Sequence, residues 1–187
     1  SDLACTTGRS QPVLEVRMDR TQEIYELAVH GRLLQRGFWL YVWEITTPQD
    51  SKFYYVGRTG DSSSANAQSP FHRMGQHLGL NSRSNVLRRR LTDDLHVDPG
   101  TCSFRFVASG PIVEETSTAG QHRRVRDQIA AMEKALADAM REAGYEVLNT
   151  VRCKAPLNAD SFARVISAFA SHFPALLRRT TAVEAAL

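Results

Sequence analysis

Residues 38–45 read FWLYVWEI, apolar or aromatic at every position but Glu44. A strand with one wet face alternates polar and apolar side chains, so a run without alternation is expected to be covered on two sides. Residues 46–51 (TTPQDS) carry turn chemistry and 53–56 (FYYV) supply a second strand, which makes the pair an antiparallel hairpin. Gly57 falls at its exit, where the missing Cβ lets the backbone turn sharply or approach a ligand.

Residues 60–69 (GDSSSANAQS) form a polar loop, and Pro70 suits the first turn of a helix ending near Leu78. A short helix is expected over 84–91 and a third strand over 103–108 (SFRFVA). After an irregular stretch, the longest helix covers 121–143 and stops at Gly144. Residues 147–151 read as short and extended, 161–173 as a last helix. Ahead of the hairpin, residues 19–36 place Ile24, Leu27, Ala28, Leu33 and Leu34 at helical spacing.

The expected class is α/β in the α+β sense: a small three-stranded antiparallel sheet flanked by helices, with a helix added at each end. A chain of 187 residues, 42% hydrophobic and 23% charged, suits one domain with a real core. That domain comprises an N-terminal extension (1–37), a core (38–150) and a C-terminal helical extension (151–187).

No apolar run approaches the roughly 18 residues needed to span a bilayer, and the first twenty residues lack a secretory pattern. A cytoplasmic protein without a membrane partner is expected. Cys5, Cys102 and Cys153 are far apart and form no CxxC pair, and the six histidines show no HExxH, so neither a disulfide framework nor a zinc site is indicated. No organic cofactor is expected.

Net charge is only +3, but it is unevenly spread. Between Lys52 and Leu91 lie Lys52, Arg58, Arg73, Arg83, Arg88, Arg89 and Arg90 against Asp61 alone, a local +6 that leaves −3 for the remainder. His122, Arg123, Arg124 and Arg126 form a second cluster. Such concentration suits a polyanion, because displaced counterions supply much of the affinity for nucleic acid. It equally suits an ordinary solvated face.

Glu133 is the most informative acid. Its helical neighbours Ile129, Met132, Leu136 and Met140 place its carboxylate inside the apolar stripe. A carboxylate there must find a cation, a metal or strong donors, or take up a proton. The plainer reading is that it borders the stripe and reaches solvent or pairs with an arginine; the sharper one is that it ligates a metal. Arg73 and His77, four apart, share one helix face within the basic segment, where a guanidinium could clamp a phosphate.

Taken in order, these features resemble the GIY-YIG nuclease superfamily. The first signature stands as Trp39-Leu40-Tyr41 and the second as Tyr55-Val56-Gly57. Arg73 and His77 follow as Arg-x-x-x-His, then Glu133, then Asn149 in GYEVLN. Trp39 replaces the family's first glycine, and Asn158 rivals Asn149 for the asparagine role. The resemblance covers roughly residues 38–149.

It implies an endonuclease that hydrolyses DNA phosphodiesters with one divalent cation, Mg²⁺ or Mn²⁺, held chiefly by Glu133. Tyr41 would be the general base, with its pKa lowered by His77 and Arg73. Tyr55 would orient the water or bind phosphate, Arg73 would stabilise developing charge, and Asn149 would brace the site. Gly57, Arg58, Arg83, Arg88, Arg89, Arg90, Arg123 and Arg124 would meet the DNA. A compact restriction-type or mobile-element enzyme fits the length, and a homodimer would suit cutting both strands. A repair or single-strand nuclease is the alternative within the superfamily, and a non-catalytic nucleic-acid-binding module the alternative outside enzymes.

Overall fold

The structure, a computed structural model, describes residues 24–62, 66–81 and 83–177. Among them are a three-stranded antiparallel sheet and four α-helices, an α+β arrangement. Strands β1 (Phe38–Thr46), β2 (Lys52–Arg58) and β3 (Ser103–Val113) are ordered β2-β1-β3. The helices are α1 (Pro70–Leu78), α2 (Val86–Arg89), α3 (Ala119–Glu142) and α4 (Ala159–Ala170).

The central place of β1 explains its unbroken apolar run, because each face of the strand meets a different core. Phe38, Leu40 and Val42, with Tyr54 and Val56, pack with Ile129, Met132, Leu136 and Met140 of α3 and Val165 and Phe169 of α4. Tyr41, Trp43 and Ile45, with Tyr55, pack on the other face with Leu87 and Leu91, joined by Met74 and Leu78. Each fully buried large side chain contributes about 1.5–3 kcal/mol of transfer free energy.

The hairpin turn closes through Thr47 N–H to the Ser51 carbonyl and Asp50 N–H to the Thr47 carbonyl, with Asp50 at φ 61°. β2 is longer than 53–56, so Gly57 lies inside it, paired with Tyr41, rather than at a hairpin exit. β3 runs on through Gly110 and Pro111 to Val113, past the expected end at 108. It is an edge strand, where a proline's missing N–H costs no ladder bond on the solvent side. The segment at 147–151 is represented by one parallel bridge, Tyr54 to Val147.

Of the helix expected over 19–36, residues 19–23 lie outside the described residues. The rest contains only a 3₁₀ turn, Gly31–Leu34. Ile24 is 95% exposed and Leu27 74%. Helical spacing supplies a stripe but not a surface, and a short segment interrupted by Gly31 is marginal unless its stripe packs. The last helix ends at Ala170, yet Phe173 and Leu176 beyond it are buried, and Phe173 stacks edge-on against Tyr54 and Tyr145. No helix among the described residues is long and apolar enough to cross a membrane.

Candidate active site

The phenols of β1 and β2 form the floor of the site. Tyr41 and Tyr55 share the sheet face that looks toward α1 and α2. Gly57 exists for this arrangement: a Cβ there would stand 2.4 Å from Tyr41 Cε2 and 2.6 Å from its hydroxyl oxygen. The ring lies directly on the bare backbone. Gly57→Ala is therefore expected to leave a folded protein with a displaced Tyr41, and a misplacement of about 1 Å can cost on the order of 10²-fold in rate. Near-ultraviolet circular dichroism for the displaced ring and far-ultraviolet for the fold check this.

Helix α1 forms one wall. The Ser69 side chain accepts the His72 N–H, and Pro70 occupies the first turn, which fixes the face carrying Arg73 and His77. His77 Nε2 lies 2.7 Å from the Tyr41 hydroxyl, and its ring sits edge-on to Tyr55 at 5.0 Å between centroids. Arg73 Nε approaches the Tyr41 hydroxyl at 3.5 Å, while Nη1 donates to Gln76 Oε1 (2.9 Å) and Nη2 to Asp61 Oδ2 (3.1 Å).

The electrostatics correct one expectation. His77 is not a cation: burial, reinforced by Arg73, pushes its pKa down to about 3. Nor is Tyr41 easier to ionise than a free phenol, because burial raises its pKa more than Arg73 lowers it. Tyr55 is pushed up to about 12, mainly by burial and then by Glu133. Desolvation outweighs the neighbouring charge, so the resting site holds a neutral phenol against a neutral imidazole, an acceptor rather than an activating charge.

A pH prediction follows from His77. Its folded pKa lies below the unfolded value of 6.5, so the unfolded chain binds the extra proton and stability falls as pH drops from 6.5 toward 3. Chemical denaturation of wild type and His77→Gln should give a difference that changes by roughly one kcal/mol per pH unit across that window. Parallel curves would show that His77 is protonated in the folded protein.

Glu133 stands on α3, which covers the opposite face of the sheet, and its side chain is only 14% exposed. Arg58, the last residue of β2, meets it with Nε 2.8 Å from Oε2 and anchors Nη1 on the Arg126 carbonyl at 3.3 Å. Burial raises the acid to about 7 even so; Arg58 opposes that rise, Asp61 adds to it and Arg73 weakly opposes it. Tyr41 and Tyr55 in turn feel the charge of Glu133. The acid thus faces into the protein, within electrostatic reach of both phenols and of Arg73.

Asn149 braces β2 from behind. Its Oδ1 accepts the Val56 N–H at 3.0 Å and its Nδ2 donates to the Val56 carbonyl at 2.7 Å, replacing the ladder partner that an edge strand lacks. Asn158 instead caps α4 by accepting the Ser161 N–H at 2.9 Å. Asn149→Ala strands two buried backbone groups and should cost about 2–3 kcal/mol in urea denaturation. Asn158→Ala should cost about 1 kcal/mol, the usual worth of an N-cap.

The remaining basic residues are spread over two helices. Arg83, Arg89 and Arg90 are exposed around α2, with Arg90 tied to Asp94 at 2.6 Å and near enough to Tyr55 to influence its phenol. Arg88 is half-buried and donates to the Leu78 carbonyl at 3.3 Å. Arg123 and Arg124 are exposed in the first turns of α3. Arg58, expected at the DNA surface, is instead engaged with Glu133.

Two residues of the site escaped sequence reasoning. Asp61 orients Arg73, and its only signal in sequence was being the lone acid in a basic stretch. His122 receives no notice in the motif order, yet its buried ring packs on Phe38 and its Nε2 meets the Ser62 carbonyl at 3.1 Å, tying the loop that carries Asp61 to α3.

Among the described residues, no three His, Cys, Asp or Glu side chains converge as a metal cage. Glu133 alone could take a hard divalent ion, with most ligands left to water and phosphate, which is how Mg²⁺ commonly binds. Its Oε1 makes no hydrogen bond among the described residues, so the donor chemistry fits. Comparison with family models, curated proteins and solved structures finds no match for this chain.

Proposed function

We propose that the protein is a GIY-YIG-type endodeoxyribonuclease that hydrolyses DNA phosphodiester bonds with Mg²⁺ or Mn²⁺. One observation carries this reading: a largely buried carboxylate, Glu133, sits within electrostatic range of two buried phenols and a guanidinium, and one of those phenols, Tyr41, meets the neutral imidazole of His77 at 2.7 Å. A structural core has no use for that assembly, since each member pays a desolvation cost that burial of apolar groups would avoid.

The chemistry divides among these side chains. A bound Mg²⁺ on Glu133 would neutralise charge on the leaving oxygen. Tyr41 accepts a proton from the attacking water while passing its own to His77 Nε2, 2.7 Å away. The water oxygen joins phosphorus as the bond to the leaving oxygen breaks. Burial is the main reason His77 is neutral, and a phosphate beside Arg73 would offset the second cause, the guanidinium charge, which makes the imidazole a better acceptor once substrate is present. Tyr55 orients the water, Arg73 steadies the equatorial charge, and Asn149 holds Val56 and hence Tyr55 in place.

Exposed Arg83, Arg89, Arg90, Arg123 and Arg124 supply the grip on phosphates. A compact restriction-type role and a homodimer are part of the same proposal. The test is incubation with plasmid, linear duplex and single-stranded DNA in Mg²⁺ or EDTA. Cleavage that requires the metal supports the nuclease. Salt-dependent binding without any cleavage would leave a nucleic-acid-binding module on the same fold.

A further inference from the structure

Arg58 and Glu133 form an ion pair at 2.8 Å. Both side chains are largely buried, 15% and 14% exposed, and the contact is a single bond from Nε rather than a two-point fork. Arg73, the other guanidinium near the acid, is already committed to Asp61, Gln76 and Tyr41. A carboxylate placed to bind a cation is costly to leave alone in a dry site, so something must hold it before the ion arrives. Arg58 is the residue in position to do so. Its Nη1 has an independent anchor on the Arg126 carbonyl, and its Nη2 has no partner among the described residues.

Resting on the nuclease reading, we propose that Arg58 is a stand-in cation for the metal on Glu133. It occupies Oε2 in the metal-free protein, yields that oxygen to the divalent ion, and is thereby released to contact a phosphate of the bound strand. Arg58 is a positioning residue that makes metal binding and DNA binding depend on each other: the metal frees a phosphate contact, and the phosphate gives the displaced guanidinium a new partner. A merely structural pair predicts no such dependence.

Two measurements test it. Mn²⁺ binding followed by electron paramagnetic resonance, without DNA, should be about 5- to 10-fold tighter in Arg58→Met than in wild type, because no cation need be displaced. Binding to a duplex is then measured at several salt concentrations in a Tyr41→Phe background, in which cleavage is slow compared with the measurement. With Mn²⁺, Arg58→Met should lower the slope of log affinity against log salt by about 0.9, the signature of one lost phosphate contact. Without metal the two slopes should coincide.

Unchanged or weaker Mn²⁺ binding in Arg58→Met overturns the proposal, as does a slope difference that is the same with and without metal. If Arg58→Met does not fold, wild type supplies the readout: the Arg58 Nε–H resonance, identified by its loss in Arg58→Lys, should shift on saturation with Mg²⁺. A resonance that stays in place means the pair survives metal binding and the proposal is wrong. Mn²⁺ binding that persists in Glu133→Gln would instead sink the nuclease reading at its metal ligand, and this inference with it.

Discussion

Replacing Glu133 with alanine should abolish measurable Mg²⁺-dependent cleavage of plasmid DNA, a loss of roughly 10³-fold or more, at the upper end of what removing one preorganised electrostatic element costs. The reason is that no second carboxylate among the described residues shares its position: Asp61 is engaged with Arg73 and is 41% exposed. The alanine variant also leaves Arg58 as a buried cation without its partner, which should cost about 3–5 kcal/mol of stability. Glu133→Gln separates the two effects, because the amide keeps a hydrogen-bond acceptor for Arg58 while losing the charge that holds the ion. Initial rates for both variants, beside their urea midpoints, provide the check. A glutamine variant that cuts at the wild-type rate would place the metal elsewhere.

Tyr41→Phe should slow cleavage by about 10²–10⁴-fold, the range associated with loss of a positioned acid or base. The substitution preserves the aromatic packing against Phe106 and the ring over Gly57. It removes only the hydroxyl oxygen that would receive the water's proton. It also leaves His77 Nε2 without its partner at 2.7 Å, and Nδ1 has none among the described residues, so stability should fall by about 1–3 kcal/mol. His77→Gln should slow cleavage less, since Tyr41 can still lose its proton to solvent or phosphate. Equal rates in wild type and Tyr41→Phe would show that another group activates the water.

These two effects differ in kind. Glu133 acts through a charge that burial makes expensive, and its site gains from any cation that neutralises it. Tyr41 and His77 are both neutral at rest, and in the proposed relay the phenol would take the water's proton as it gives up its own, so that charge would appear on the imidazole and not on the phenol. On the proposed mechanism, the same dry environment would favour a cation at one wall and suppress premature ionisation at the other.

Much of the fold was legible in the residues because its signals are local. The unbroken apolar run of β1 implied cover on both sides, Pro70 began α1, and Gly144, at φ 91°, ended α3. Local pattern failed where the outcome depended on a distant surface. Ile24 and Leu27 keep helical spacing yet remain exposed, and β3 continues past Gly110 and Pro111 because it lies at a sheet edge. Phe173, expected to end the last helix, lies beyond it in the core, and Leu176 is a core residue in a stretch whose sequence suggested nothing.

The candidate site divides the same way. Side-chain type and helical position were enough to single out Glu133 and the pair Arg73 and His77, and the resemblance carried by residue order added Tyr41, Tyr55 and Asn149. Tertiary structure alone decided their states. Burial, a property of the packed whole, raised the phenols and the acid and kept the histidine neutral, against the expectation drawn from neighbouring charges. It also chose Arg58, 75 positions away in sequence, as the partner of Glu133, and Asn149 over Asn158 as the brace. Side-chain chemistry is written residue by residue, whereas the dielectric around a group and the partner across the core exist only once the chain has closed around them.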